Sequence, residues 1–123
     1  MTRLVFQYAV LRAVPRVERG EFANVGVLLY CQDADVLQAR VHVDADRLRA
    51  LHPDADVASL QELLAGVERV CAGEGPAGGS GLGQRFRWLT SPRSTVLQTG
   101  AAHSGFTADP VAELDRLFAA LVR

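Results

Sequence analysis

The first third of the chain has apolar spacings that predict three β-strands. Residues 3–14 and 22–32 are apolar on both faces, which is typical of strands in the middle of a sheet. Residues 36–43 alternate between apolar and polar positions, as a strand does when one face meets solvent. Short polar connections join these segments, so the pattern predicts an antiparallel meander.

Two residues interrupt the apolar run of the second predicted strand. Gly26 predicts a β-bulge or a close approach of neighbouring backbone. Asn24 is the only Asn of the chain, and an unbonded amide among apolar residues costs about 1–3 kcal/mol. We expect Asn24 either to hydrogen-bond the 19–21 loop or to line a cleft.

Helical periodicity and capping residues follow the third strand. Asp44 stands where it can cap a short helix over 45–51. Asp56 or Asp54 can cap a longer helix over 57–72, whose apolar residues form one stripe. The middle of the chain is therefore predicted to be helical.

The last part of the chain mixes glycine, one strand and a helix. Residues 73–83 are rich in glycine and predict a flexible loop. Residues 84–90 fit a helical turn or a short strand, and periodicity does not decide between them. A strand is predicted over 94–99. Asp109 at an N-cap and Pro110 in the first turn mark the start of the last helix.

The order of these elements predicts the fold class. We expect an α+β domain, an antiparallel meander sheet of about four strands with helices packed on one face. The chain has 123 residues and no shift in composition, so residues 1–123 are predicted to form a single domain. Its 49% hydrophobic and 22% charged residues are ordinary for a globular protein.

Other features of the composition bear on location and redox chemistry. No apolar run approaches the roughly 20 residues that cross a bilayer, and the N-terminus lacks a signal-peptide pattern. We expect a cytoplasmic protein with no membrane partner. Cys31 and Cys71 are too few for a disulfide scaffold and lie among apolar residues, which predicts buried free thiols.

Charge is unevenly distributed, although the net charge is only −1. Residues 33–74 hold nine acids against four arginines, residues 1–19 are basic, and residues 75–108 contain no acid. If the two basic segments meet, they form a positive face. The candidate ligand-binding residues are Arg12, Arg19, Asn24, Arg85 and Arg87. We expect Arg12, Arg19 and at least one of Arg85 and Arg87 to share a surface.

The Arg85–Ser94 segment interleaves arginine with aromatic residues. Arg forks that grip phosphate and rings that stack on bases are typical of nucleic-acid surfaces. In a small domain, Phe86 and Trp88 more often belong to the core, with solvated arginines between them. The pattern favours this second interpretation.

No complete catalytic constellation is present in the sequence. Glu21 as acid/base and His103 as proton shuttle are the candidate catalytic residues of an enzyme hypothesis. It would use Arg12, Arg19 and Arg87 as clamps for a phosphorylated or nucleotide substrate, with all five groups in one cleft.

Metal and cofactor sites are not predicted. Asp-Ala-Asp triplets at 33–35, 44–46 and 54–56 fall at turns and helix starts, where Asp binds free backbone N–H groups. The glycines of 73–78 match a dinucleotide fingerprint in spacing alone, because they follow a helix rather than a strand. We therefore expect no metal and no cofactor.

Two motifs carry a resemblance to a known family. They run from Tyr8-Ala9-Val10-Leu11-Arg12 to Arg19-Gly20-Glu21-Phe22-Ala23-Asn24-Val25-Gly26-Val27, and from Arg85-Phe86-Arg87-Trp88-Leu89 to Ser94-Thr95-Val96-Leu97-Gln98. With the run from His103-Ser104-Gly105 to Asp109-Pro110, the chain resembles the uncharacterised bacterial family catalogued as domain of unknown function 3037. The resemblance implies a compact bacterial single-domain protein and supplies no catalytic residues.

Three functional hypotheses follow from the sequence. The first is a non-enzymatic binding or accessory module whose Arg-rich face docks an anionic partner, either an acidic protein surface or nucleic acid. The second is the small enzyme with Glu21 and His103. The third is a self-associating domain that forms a homodimer.

Overall fold

A computed structural model describes residues 2–75, 79–93 and 95–122 of the chain. Within these residues it contains five strands, four α-helices and a single 3-10 turn at Val17–Arg19. The strands are β1 (Leu4–Ala13), β2 (Ala23–Cys31), β3 (Val36–Val41), β4 (Leu97–Thr99) and β5 (His103–Thr107). The helices are α1 (Ala45–Leu51), α2 (Val57–Cys71), α3 (Leu82–Leu89) and α4 (Pro110–Leu121).

The strands form one antiparallel sheet in the order β3-β2-β1-β4. Strand β5 also pairs with β1, along Leu4–Tyr8, while β4 pairs with Leu11–Ala13. The expected α+β class and the antiparallel meander of the first three strands are confirmed. The sequence prediction missed β5.

A β-bulge sits where β2 leaves the regular register with β1. Leu11 is opposite Gly26 and Arg12 is opposite Asn24, so Val25 is the extra residue. The bulge lets Val25 join the same core cluster as Ala23 and Leu28. Asn24 consequently faces the other side of the sheet. Both features predicted at Gly26 are present, because the bulge adjoins it and the backbone of the neighbouring strand β3 approaches it closely.

One face of the sheet is covered by three helices. Leu28 and Leu37 of the sheet pack there with Leu48 of α1, Leu64 of α2 and Phe86 of α3. These side chains are all nearly or fully buried. This larger core fixes the positions of α1, α2 and α3 relative to the meander.

The other face is covered by α4. Val27 and Leu29 alternate with Leu28 along β2, and they pack against Leu114 and Leu117 of α4. Helices thus lie on both faces of the sheet, which corrects the expectation that they would all pack on one. Apolar residues on both faces of β1 and β2 are the sequence signal of this double cover.

Aspartate caps start three of the helices. Asp44 accepts a hydrogen bond from the backbone N–H of Arg47, at 3.1 Å. Asp56 accepts one from the N–H of Ser59, at 3.0 Å, and Asp109 caps α4 in the same way. These predictions are confirmed. The bonds from Ser59 lower the pKa of Asp56 below its ordinary value.

The segment that periodicity left undecided is helical. Helix α3 begins at Leu82, which lies inside the segment predicted as a Gly-rich loop. Residues 76–78 of that loop and Ser94 of the predicted fourth strand lie outside the described residues. The loop's flexibility therefore stays a prediction.

Both cysteines are free thiols, as expected. Cys31 is fully buried in the core beneath α4. Cys71 is partly buried at the end of α2, and this burial raises the pKa of its thiol to about 11. In the described part of the chain, no helix has the length and apolar character of a membrane span.

Candidate functional site

Two of the arginines in the 85–94 segment donate hydrogen bonds to carbonyls at the C-terminal ends of helices. The guanidinium of Arg85 donates to the carbonyls of Val70 and Cys71, at 2.9 and 3.0 Å, which are the last carbonyls of α2. Arg93 donates to the carbonyls of Trp88 and Leu89 at the end of α3. Arg85 is therefore a capping residue in this structure rather than a solvated one.

The arginines of the β1–β2 connection have acidic partners. Arg19 forms an ion pair with Glu21 at 2.6 Å, and Arg16 forms one with Glu18 at 2.7 Å. The hydrogen bond from Arg19 lowers the pKa of Glu21, so this carboxyl stays ionised rather than poised for proton transfer. Both pairs are exposed to solvent.

Arg12 differs from these arginines because no carboxylate neutralises it among the described residues. Its guanidinium lies 4.4 Å from the centre of the Phe22 ring, which is 46% exposed. Its Nε is buried and has no hydrogen-bond partner in the part of the chain that the structure describes. Gly100 leaves the space that this guanidinium occupies, since a Cβ there would lie 3.0 Å from Cζ of Arg12.

Asn24 stands directly across from Arg12 in the sheet and bonds to the end of α4. Its Nδ2 donates to the carbonyl of Leu121 at 3.0 Å. The hydrogen bond predicted for Asn24 exists, but its partner is α4 rather than the 19–21 loop. Asn24 also lines a surface cavity, which agrees with the second alternative predicted for this residue.

This cavity has a volume of about 350 Å³ and lies between the start of β2, α1 and the end of α4. Its lining residues are Phe22, Ala23, Asn24, Arg47, Ala50, Leu51 and Leu121. Phe22 connects the cavity to Arg12, because its ring both lines the cavity and carries the Arg12 guanidinium. We call Arg12, Phe22, Asn24 and Arg47 the hairpin-end site.

Arg47 is the member of this site that the sequence reasoning missed. It is exposed on α1, and its side chain forms no ion pair with any described carboxylate. In the sequence it is one of the four arginines of the acidic 33–74 stretch, and no local motif sets it apart. Only the fold brings α1 beside the start of β2.

The predicted shared surface of Arg12, Arg19 and Arg85 or Arg87 is not formed. Arg12 and Asn24 project from the α4 face of the sheet, whereas α3, which carries Arg85 and Arg87, packs on the opposite face. Helices that cover opposite faces keep these guanidinium groups apart. Arg19 lies at the hairpin turn with its own acid.

The candidate catalytic pair is also separated. His103 lies on β5, and its exposed ring is 5.3 Å from that of Tyr8. Glu21 lies in the connection beyond the other end of β1. The described residues thus offer no cleft that joins Glu21, His103 and the three arginine clamps of the enzyme hypothesis.

A second, more apolar cavity of about 500 Å³ lies between α2, α3 and β4. Leu63 and Trp88 in its wall are 44% and 50% exposed. The core interpretation of the 85–94 aromatics is therefore right for Phe86, which is buried, and wrong for Trp88. Arg93 covers the Trp88 ring at 4.9 Å.

Residues 2–75, 79–93 and 95–122 contain no assembled metal-binding site. No group of three or more His, Cys, Asp or Glu side chains is placed there to hold an ion. Two of the Asp-Ala-Asp triplets act through their capping aspartates, Asp44 and Asp56. In the third, Asp35 takes up a left-handed turn conformation with φ of 55° between β2 and β3.

Fold and cavity together describe a small α+β protein with a surface cavity lined by Arg47, in which Glu21 and His103 lie apart. The chain belongs to the family described as Protein of unknown function (DUF3037), whose model matches residues 8–122. The resemblance seen in the sequence is thereby confirmed over nearly the whole chain. No curated protein and no solved structure matches the chain.

The bond between Asn24 and Leu121 makes a testable contribution to stability. We expect Asn24→Leu to lower the free energy of unfolding by about 1–2 kcal/mol, because the half-buried carbonyl at the end of α4 loses its donor. Urea denaturation followed by circular dichroism measures the change. Gln98→Leu is the control, since the Gln98 amide bonds only its own loop at Thr95. Equal stability of Asn24→Leu and the wild type would contradict a structural role for this amide.

Proposed function

We propose that this chain is a binding or accessory module that takes an acidic segment of a partner protein at the hairpin-end site. The observation that carries the proposal is Arg12, whose buried Nε has no partner among the described residues. Buried donors are normally paired, so an unpaired one marks a place for a missing acceptor. The Arg12 side chain as a whole is only partly buried, so a carboxylate of the partner binds the guanidinium from its exposed side.

Charge at the site supports an anionic ligand. Arg12 and Arg47 both lack an ion-pair partner within the described residues, unlike Arg16 and Arg19 nearby. Arg12 lies over the Phe22 ring and Arg47 lines the same cavity as Phe22, so both guanidinium groups contribute positive potential at this site. Adjacent carboxylates of one acidic segment satisfy both, and charge-assisted bonds to Arg are among the stronger ones in proteins.

An acidic protein segment is favoured over nucleic acid by what surrounds the site. Binding to a phosphate backbone needs a row of cations, because each neutralised phosphate contributes separately to affinity. Here the hairpin-end site offers two arginines without an ion-pair partner among the described residues, Arg12 and Arg47, which is too few for such a row. The bacterial origin and cytoplasmic location expected from the sequence are part of the same proposal.

Binding of a short fluorescein-labelled peptide rich in Asp and Glu tests this function. We expect Arg12→Gln and Arg47→Gln each to weaken binding about tenfold in fluorescence anisotropy, as the loss of one charge-assisted contact of about 1.4 kcal/mol predicts. Arg49→Gln is the matched control, because Arg49 lies on the same exposed helix outside the cavity. It should bind like the wild type.

Side-chain NMR shows whether the peptide meets Arg12 itself. Adding the peptide should shift the Arg12 Nε–H resonance, whereas the equivalent resonance of the ion-paired Arg19 stays in place. Three results would overturn the proposal: equal binding by all three variants, no binding by the wild type, or tighter binding of single-stranded RNA with steep salt dependence.

A further inference from the structure

Strand β5 leaves one edge of the sheet open. It pairs with β1 on one side, and no other described strand pairs with its second side. An open edge presents unpaired backbone N–H and C=O groups to any other strand. Proteins usually guard such edges with charged residues, proline or a covering helix. The five residues of β5, His103–Thr107, include no Asp, Glu, Lys, Arg or Pro.

The opposite edge of the same sheet is guarded in the usual ways. Strand β3 carries Arg40, which forms an ion pair with Asp115 of α4 at 3.0 Å. Helices α2 and α4 both pack against this strand. Strand β4 is only three residues long, which limits pairing along its edge. The contrast singles out β5 as the unguarded edge.

An apolar patch adjoins the open edge. Val5 of β1 and Phe106 of β5 lie opposite each other in the register, and their side chains are 52% and 61% exposed. Arg3 lies over the Phe106 ring at 5.4 Å to its centre. Two large apolar side chains kept together at a sheet edge are typical of an interaction surface.

We propose that two copies of this chain associate through β5, antiparallel to each other across a two-fold axis. An antiparallel strand can pair with its own copy under that symmetry, and the ladder itself brings no like charges together, because β5 includes no Asp, Glu, Lys or Arg. The nearest cation, Arg3, lies over the Phe106 ring beside the ladder. The two sheets then become continuous, and the Val5–Phe106 patches of both copies come together beside the new ladder. A second copy fits this edge better than a charged peptide would.

The interface predicted in this way is small. A five-residue ladder with one apolar patch on each copy is small beside the roughly 1,200–2,000 Å² that stable complexes bury. We therefore expect a dimer that dissociates in the micromolar range. The β5 edge is separate from the hairpin-end site, so either proposal can fail without the other.

Sedimentation velocity over a range of protein concentrations tests the dimer. The wild type should change from monomer to dimer as concentration rises through the micromolar range. Phe106→Arg should stay monomeric, because it places two like charges beside the two-fold axis. Trp88→Arg is the matched control, since Trp88 is also a half-exposed aromatic residue but lies on another surface, and it should dimerise like the wild type.

Hydrogen exchange locates the interface independently of these variants. The amides of β5 should exchange more slowly at high than at low protein concentration, while those of β3 stay unchanged. Ser104→Lys provides a second edge variant if Phe106→Arg fails to fold. A wild type that stays monomeric at all concentrations overturns the proposal. So does a dimer that survives both β5 variants or that depends on Trp88.

Discussion

Replacing Gly26 with alanine is expected to lower the free energy of unfolding by about 2–3 kcal/mol. The added Cβ would lie 2.8 Å from the backbone carbonyl oxygen of Arg40 and 3.0 Å from Cδ1 of Leu11. The carbonyl belongs to the neighbouring strand and cannot move without disturbing the β2–β3 ladder. Thermal and urea unfolding of the purified variant measure the loss.

Gly66→Ala is the matched control for this prediction. Gly66 lies inside α2, where a Cβ would meet only the end of the Arg69 side chain at 3.5 Å. Alanine is favoured over glycine in a helix by roughly 1 kcal/mol, so this variant should be more stable than the wild type. If alanine lowers the free energy of unfolding at position 26 and raises it at position 66, backbone crowding at Gly26 decides the outcome. A Gly26→Ala protein as stable as the wild type would contradict the close packing of β2 on β3.

Leu114→Ala is expected to cost about 3 kcal/mol of unfolding free energy. Leu114 is fully buried between α4 and the sheet, in the same apolar cluster as Phe6, Val27 and Leu29. Truncation leaves a cavity between two rigid elements that can close it only partly. Because α4 alone covers this face in the described structure, its loosening exposes the sheet beneath it.

The control for Leu114 is Val111→Ala on the same helix. Val111 is 37% exposed, so its truncation should change stability by less than about 1 kcal/mol. Urea denaturation gives both values, and exchange of the Cys31 thiol with a disulfide reagent gives an independent readout. Cys31 lies beneath α4 and should become accessible only in Leu114→Ala. Equal effects of the two truncations would mean that α4 is not anchored through Leu114.

Local signals account for the parts of the fold that the sequence predicted correctly. Asp44, Asp56 and Asp109 each bond a backbone N–H three residues ahead, so the chemistry that starts each helix lies within one turn. The alternation of residues 36–41 is also a local feature, because β3 pairs with β2, the strand directly before it in the sequence. Such features are visible in a short window of sequence.

The parts that were missed depend on contacts between distant segments. Residues 103–107 form a strand because β1 lies beside them, although their own side chains are mostly exposed and show no apolar alternation. The position of α4 on the second face follows from Val27 and Leu29, at the opposite end of the chain. No short stretch of the sequence indicates which face of the sheet each helix covers.

The residues of the candidate site also fall into two groups, those that the sequence pointed to and those that only tertiary contacts bring in. Asn24 stood out in the sequence because a polar group within an apolar strand needs a partner or a purpose, and Arg12 stood out because residues 1–19 are basic. Both lie in the hairpin-end site. Arg47 joins them only through tertiary packing. Arg85 was expected to bind an anion, but carbonyls at the end of α2, fifteen residues earlier, take its hydrogen bonds. Spacing alone does not distinguish a capping arginine from a free one.

The central position of β1 in the sheet also has a consequence for synthesis in the cell. Its partners β4 and β5 lie near the other end of the chain, so the sheet has many nonlocal pairings, which slow folding. At about 5–20 residues per second, a ribosome needs roughly 5–20 s to make the residues between β1 and β5. During that interval the emerging chain displays Phe6, Val27 and Leu29 without α4 to cover them. Until the last helix leaves the ribosome, this uncovered apolar surface makes the nascent chain prone to aggregation.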